Sequence, residues 1–539
     1  MLTKDSLFTD LPTKQGVAKL RRDATIWIDE AFSVIRSSKW EPALRLGNVD
    51  VLEALRAPLL HCVLRLVRED VCNAESSSFS KILAKLRALA YDSRLLVQEV
   101  KARRKSAPAS PVTVLFWPQL SMHSKEHIPV AKCLSQAGVL TGFVLNQAIE
   151  FESVRRQDTN AVYAGRAWPE RLRKARQEGR DAANRMPESP GLPLPPFLRD
   201  LPEEVLVREL RSTIVQMLPL VHRTVAATKA AIREIKPRVL VVGNDLTLEG
   251  RTQCMVAAEL QISTACFMHG IVSGEPLQGR HLAHTILVYS ERNRQELIDL
   301  GEKPARIQVC GAPSLTNRKR QTGSVNSEVK QYLNLVDGQP WILLATSGPG
   351  HSVSVVHHRR LIAAMMRLSA RMPSVKFITK LHPKDRIEYY RQVRHAVPDS
   401  RLMIAPPKSA LASLPFDDWL QGCSAIVTGG SAAAIDAMLY DVPVVSVDLA
   451  EELLGISFIE YGATLHARSE EGLSLAVNAV LTGSERAAEV HARAREFVQG
   501  SFHELDGNPC EVAADILRRL IDASSTADHR LDQKSGLIS

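Results

Sequence analysis

A chain of 539 residues exceeds what one hydrophobic core holds, since single cores stop growing near ~250–300 residues, so two large lobes and an accessory segment are expected. A composition of 45% hydrophobic and 24% charged residues excludes a disordered or low-complexity chain. The formal charge of +9 is uneven: residues 1–105 carry 19 Lys and Arg against 13 Asp and Glu, with a cluster at Lys101, Arg103, Arg104 and Lys105.

The opening MLTKDSLFTDLPTKQG lacks the apolar stretch of a secretory leader, and no apolar run reaches spanning length. Eight cysteines lie scattered without CxxC pairing, which reads as reduced core thiols and a cytoplasmic location. From residue 24 the apolar positions follow a helical period (Ile26, Ile28, Phe32, Ile35, then Leu52, Leu55, Leu59, Val63, Leu66), predicting an all-helical segment over 1–105. Its basic end is either a solvated helix terminus or an attraction to an anionic membrane surface, peripheral on the cytoplasmic side.

After the KSAPASP break, VTVLFWP (112–118) starts a series of strands alternating with helices. AGVLTGFVL (137–145), KPRVLVVGND (236–245), STACFMHG (263–270), TILVYS (285–290) and ARIQVCGAP (305–313) read as further strands, with a long helix over 203–234. Residues 185–202 are too proline-rich for regular structure. A polar linker at 314–338 precedes a second series: strands at 340–350, 375–381, 401–405, 424–428 and 442–447, separated by helices. The expected fold is therefore α/β, with two doubly wound parallel-sheet lobes at 110–313 and 339–521, a helical segment before them and a tail at 522–539. A cleft between the lobes is expected to hold the ligand, because such sheets bind at the carboxyl ends of their strands.

Each polar cluster follows a strand. TSGPG supplies Ser347 and Gly348. KLHPK supplies Lys380, His382, Pro383 and Lys384, a restricted loop with two cations and an imidazole. TGGSAAAID supplies Thr428, Gly429, Gly430 and Ser431, a close backbone turn with Ser431 opening a helix whose free N–H groups attract an anion. These residues are the candidates for a nucleotide phosphate. An ordinary strand-to-helix turn explains the glycine motif about equally well. On the first lobe, Asp245, Glu249 and His269 are the candidate bases, Asp245 foremost, with helix capping as its competing role. No DxD triplet appears, so no metal and no other cofactor is expected.

KLHPK followed about 45 residues later by VTGGSAAAIDAMLYDVPVVSVD resembles the carboxyl-terminal half of bacterial GT-B glycosyltransferases of surface-polysaccharide synthesis, such as capsule Kdo and sialic acid transferases, and the CDP-glycerol glycerophosphotransferases. GNDLTLEGRTQCMVAAELQISTACFMHG is similar to the acceptor side of that pattern, and the likeness covers residues 236–520. The resemblance implies an inverting, metal-independent transferase, with Lys380, His382 and Ser431 at the phosphates of a CMP- or CDP-linked donor. A saccharide or glycolipid acceptor, capsule or lipopolysaccharide synthesis, and no nucleic-acid partner go with it. The alternatives are a sugar-nucleotide 2-epimerase of the same two-lobed fold and a non-catalytic assembly protein. The epimerase is set second because its paired acids after the glycine turn are replaced by Ala432–Ile435, with only Asp436 following.

Overall fold

The computed structural model describes residues 14–68, 111–146, 151, 154–187 except 158, and 202–315 except 269, 271 and 273–275. It further describes 325–349, 353–451 except 383–384, 406–410 and 412–413, then 453, 456–502 and 507–535. The basic cluster at 101–105, His269, Pro383 and Lys384 lie outside the described residues. The chain divides into two compact units, one drawn from residues 21–269, 276–317 and 504–539 and the other mainly from 318–503.

The first unit begins with helices α1 (Lys14–Arg36) and α2 (Val51–Arg68), joined through a short antiparallel ribbon. Their apolar stripes are buried at Ile28, Phe32 and Ile35 and at Leu52, Leu55, Leu59, Val63 and Leu66, as the helical period requires, but Ile26, counted in that period, is 51% exposed and Trp27 is buried beside Ile28 instead. Then come β1 (Val114–Trp117), α3 (Ser121–Gln136), β2 (Thr141–Leu145), β3 (Ala161–Tyr163), α4 (Pro169–Asn184) and the long α5 (Glu203–Ile235). β4 (Val239–Val242), α6 (Leu248–Glu259), β5 (Ser263–Phe267), β6 (Thr285–Val288), α7 (Glu291–Asp299) and β7 (Ile307–Val309) complete the sheet. Its order is β3-β2-β1-β4-β5-β6-β7, and every pairing is parallel. Such a sheet buries both faces, which is why VLFW and VLVV are continuous apolar runs rather than alternating ones.

The second unit repeats the plan with α8 (Ser327–Leu333), β8 (Trp341–Ala345), α9 (Val355–Arg371), β9 (Lys376–Lys380), α10 (Ile387–Ala396), β10 (Leu402–Ile404) and α11 (Phe416–Leu420). β11 (Ala425–Thr428), α12 (Ala433–Leu439), β12 (Val444–Val447), β13 (Leu465–Ala467), α13 (Glu470–Leu481) and α14 (Glu485–Phe502) follow. Its parallel sheet runs β10-β9-β8-β11-β12-β13. The protein thus has two Rossmann-like parallel-sheet domains and an N-terminal helical segment.

Two boundaries differ from the sequence expectation. The C-terminal helix α15 (Pro509–Ser535) was grouped with the second lobe up to residue 521, yet Cys510, Ala513, Ala514, Leu517 and Ile521 are buried in the first unit's core with Val130, Leu134 and Cys310. An amphipathic stripe shows that a helix will be buried, but not on which sheet. The N-terminal helices, expected as an accessory, are held by charge. Arg251 of α6 is fully buried, its Nε donating to the Glu53 carbonyl at 2.8 Å and its Nη1 to the Arg280 carbonyl at 2.9 Å. Arg56 and Arg280 both pair with Asp29, at 2.7 Å each.

Candidate functional site

In the second unit the carboxyl ends of β8, β9, β11 and β12 bring four loops side by side. Parallel pairing sets this register: Ala345 lies opposite both Lys380 and Thr428, and Thr428 opposite Ser446. The crevice rule for doubly wound sheets makes this edge the candidate site.

Asp385, which follows the HP motif, is held by three side chains. His358 Nε2 donates to its Oδ1 at 2.9 Å, while Thr346 Oγ1 and Tyr390 OH each donate to Oδ2 at 2.8 Å. The Asp385 N–H in turn donates to the His382 carbonyl at 2.8 Å. Burial pushes the Asp385 carboxyl up, but His358 and the two hydroxyls outweigh it and leave the pKa below the ordinary carboxylate range. His382 itself is half-buried. Lys380 is turned elsewhere: its Nζ donates to the Leu414 carbonyl at 2.8 Å and sits 5.3 Å from the Trp419 ring centroid. Burial lowers its pKa, with Asp418 opposing. Where the sequence suggested a phosphate contact, the structure shows the Lys380 ammonium on this carbonyl and beside this ring.

Ser347 is half-buried and Gly348 buried, the latter with φ +68°, a left-handed turn that glycine adopts without strain. The glycine loop is also tight. Gly430 has φ +81°, and Gly429 packs so closely that a methyl group there would come within 2.7 Å of His357 Nε2. Ser431 does not open the helix as expected. α12 starts two residues later, and the Ser431 N–H donates to Thr428 Oγ1 at 3.0 Å, while its own Oγ accepts from the Ala433 N–H at 3.3 Å. The local side-chain bonds compete with the first helical turn and win. Behind the loop, His357 Nδ1 lies 3.8 Å from Asp448 Oδ1, and Asp448 Oδ2 accepts from the Leu453 N–H at 3.2 Å.

His357, His358, Asp385, Asp448 and Thr346 were not picked out from the sequence. The available signal was the tandem histidine of VVHHRR inside an otherwise apolar helix face.

On the first unit, Asp245 ends β4's loop but is fully buried. Its Oδ1 takes the His281 Nδ1 bond at 2.5 Å and its Oδ2 the N–H groups of Leu282 and Ala283, at 2.7 and 2.8 Å. Burial would raise its pKa, yet His281 and the two amides hold it well below the carboxylate range. With both oxygens occupied and no exposure, Asp245 fastens a loop, a poor arrangement for taking a substrate proton. It does not cap α6 either, since Thr247 does so by accepting from the Gly250 N–H at 3.2 Å. Glu249 is half-buried with its pKa raised by burial, and it lines a small cavity of about 70 Å³ with Trp117, Gln119, Asn146 and Arg223. Among the described residues, no group of three His, Cys, Asp or Glu is gathered to hold a metal ion, and no helix is long and apolar enough to cross a membrane.

Two parallel α/β domains with polar loops after their strands define the class as a two-domain Rossmann-like fold. The family model for UDP-N-acetylglucosamine 2-epimerase matches residues 208–501, more than half of the chain, and the chain belongs to that family. Similar solved structures include the UDP-GlcNAc 2-epimerase of Neisseria meningitidis bound to UDP-GlcNAc, at 12% identity and TM-score 0.50, covering 76% of this chain and 98% of that one. The Methanocaldococcus jannaschii UDP-GlcNAc 2-epimerase in complex with UDP-GlcNAc and UDP matches at 16% identity and TM-score 0.49, covering 76% and 99%. The S. aureus MnaA–UDP structure matches at 13% and 0.48, covering 74% and 94%. No curated protein sequence matches the chain.

The family corrects the expected activity. The GT-B type of fold stands, but the glycosyltransferase, with its acceptor and its capsule or lipopolysaccharide pathway, gives way to the epimerase reading that had been set second. The argument against the epimerase rested on one missing pair of acids after Gly430. A family match running over residues 208–501 outweighs that local departure.

Proposed function

We propose that the protein inverts C2 of a UDP-linked N-acetylhexosamine, as a sugar-nucleotide 2-epimerase. The observation that carries the reading is the family match over residues 208–501, which takes in all four loops at the strand ends of the second unit. The Neisseria meningitidis enzyme solved with UDP-GlcNAc bound supports the uridine nucleotide. In this reading His382, Ser347, Gly348 and the Thr428–Ser431 turn receive the diphosphate, through the half-buried imidazole, hydroxyls and backbone amides, and Asp436 in the first turn of α12 is the first acid after that turn. Phosphate charge would be met by these donors, so no metal is called for. A cytoplasmic location goes with this proposal, in keeping with eight cysteines scattered without CxxC pairing.

Inverting a carbon that bears hydrogen through proton loss and return leaves solvent deuterium at that carbon. Incubation with UDP-GlcNAc in D₂O, followed by proton NMR, is expected to show the C2 epimer with deuterium at C2. Folded protein that yields neither epimer nor exchange would overturn the proposal.

A further inference from the structure

We propose that the adjacent His357 and His358, in the first turn of α9, form one positioning device that fixes both the HP loop and the Gly-Gly-Ser loop of the second unit. The inference rests on the proposed function in taking these loops to receive UDP. Each histidine side chain is only 1% exposed, so neither touches ligand, and both act through the groups they hold.

The helix start itself is fixed. Ser354 caps it, its Oγ accepting from the His357 N–H at 3.0 Å and its carbonyl from the His358 N–H at 3.0 Å. From that point the two imidazoles diverge, since consecutive helical residues lie about 100° apart. His358 reaches Asp385, whose backbone N–H holds the His382 carbonyl, so the orientation of the HP loop depends on the His358–Asp385 bond. Tyr390, Thr346 and the Arg386 N–H complete the carboxylate's partners, leaving it one position to occupy.

His357 points to the other loop. Its Nε2 fills the space into which a side chain at Gly429 would project, and its Nδ1 faces Asp448, which anchors Leu453. The Leu453 side chain in turn packs on Gly430, where a methyl group would meet it at 2.8 Å. Gly429 lies outside the left-handed region, so an alanine fits the backbone there; its methyl group collides chiefly with the imidazole, at 2.7 Å, and presses more lightly on Leu361 Cδ2, at 3.1 Å. Two loops that would together contact one diphosphate are thereby registered by residues one peptide bond apart. Placement errors of about 1 Å in such contacts are costly.

The test uses the full chain, with UDP as probe in titration calorimetry and amide hydrogen exchange as a ligand-independent readout. H358A is expected to lose about 30-fold in UDP affinity and to speed exchange at His382, Asp385 and Arg386, while H358Q, which keeps a donor near Nε2, recovers most of the loss. H357A is expected to speed exchange at Gly429–Ser431 and Leu453 instead. G429A, which deletes nothing buried and so keeps the test open if an alanine variant fails to fold, is expected to lose about 30-fold. On the H357A background the same change should cost less than twofold. Wild type that binds UDP alongside H357A, H358A and G429A variants within twofold of it would overturn the positioning role and leave the proposed function standing. Folded wild type that does not bind UDP would sink the ligand assignment. Unchanged loop exchange in these variants would then overturn the positioning role as well.

Discussion

Each unit buries a histidine–aspartate pair beyond the carboxyl end of a strand, and the two pairs do different work. In the first unit, Asp245 receives His281 and the amides of Leu282 and Ala283, residues 36 to 38 positions away, and so staples a distant loop onto the β4 edge. That same loop gives the Arg280 carbonyl to Arg251, which also grips Glu53 of α2. In the second unit, Asp385 receives His358 but spends its own N–H on His382, within its own loop. The first pair belongs to the attachment of the N-terminal helices. The second belongs to the shape of the candidate site. A buried histidine–carboxylate pair is therefore no guide to catalysis until the neighbours of both partners are known.

The largest expected effect sharpens this contrast. Asp245→Ala would leave His281 and two backbone amides buried without their acceptor, and breaking a buried pair in this way costs about 3–5 kcal/mol. Urea unfolding should register it as a fall in the midpoint with little change in slope. Asp385→Ala should unfold less readily, because three of its four partners are side chains at the site edge, but should impair UDP binding more. Equal stability losses, with UDP affinity unchanged in both, would erase the distinction. Deleting residues 1–105, a whole layer rather than one side chain, uncovers Arg251 and Arg280 together with the faces of α5 and α6 that α2 covers, and should lower the urea midpoint as well.

Another buried carboxyl, bonded among the described residues by hydroxyls rather than by an imidazole, tests what the imidazoles contribute. Glu126 of α3 is bonded by Tyr289 OH and, at 3.4 Å, by Ser314 Oγ, and burial pushes its pKa from 4.5 up to about 7. The folded form therefore prefers the proton more than the unfolded chain does. Its contribution is fully present below pH ~4.5 and is lost as pH rises through 7, a swing of about 3 kcal/mol. Glu126→Gln keeps the acceptor and removes the titration. Between pH 5 and pH 8 the wild type should lose about 3 kcal/mol more than this variant in urea unfolding. Parallel pH profiles for the two proteins would show that water or a cation reaches Glu126.

Much of the fold was legible because parallel strands buried on both faces are uninterrupted apolar runs, and each sheet strand named from the sequence is present, from VTVLFWP to PVVSVD. The three-residue strands β3 and β13 were not named from the sequence. The loops after the strands were found by the same logic, but the duties of their side chains were not. Lys380 and Asp245 look available in one dimension, and only the fold supplies Leu414, Trp419, His281 and Ala283 as their partners. His357 and His358 sat in an apolar helix face with no local hint of Asp385 or Asp448, which are 27 and 91 positions away. The choice between transfer and epimerisation was not legible from the short motifs, since both readings share a phosphate-binding turn.

The smallest expected effect concerns the glycine turn, where two hydroxyls lie three residues apart. Thr428 is fully buried, and its Oγ1 is the acceptor for the Ser431 N–H. Thr428→Val keeps the shape and strands that amide, at a cost of about 1–3 kcal/mol in stability. Ser431 is 9% exposed and accepts only a long 3.3 Å bond from the Ala433 N–H, at the start of a seven-residue helix whose N-cap makes no side-chain bond. Ser431→Ala should therefore cost less than about 1 kcal/mol in stability. If its hydroxyl also reaches a phosphate, UDP affinity should fall by about tenfold, the low end for a hydrogen bond to a charged group, about 1.5 kcal/mol. The two variants thus separate building the turn from touching the ligand: Thr428→Val should lower the melting temperature more than it changes affinity, and Ser431→Ala the reverse. A Ser431→Ala protein that binds UDP as tightly as the parent would remove Ser431 from the ligand contacts and leave the backbone amides of Gly429 and Gly430 as the turn's contribution.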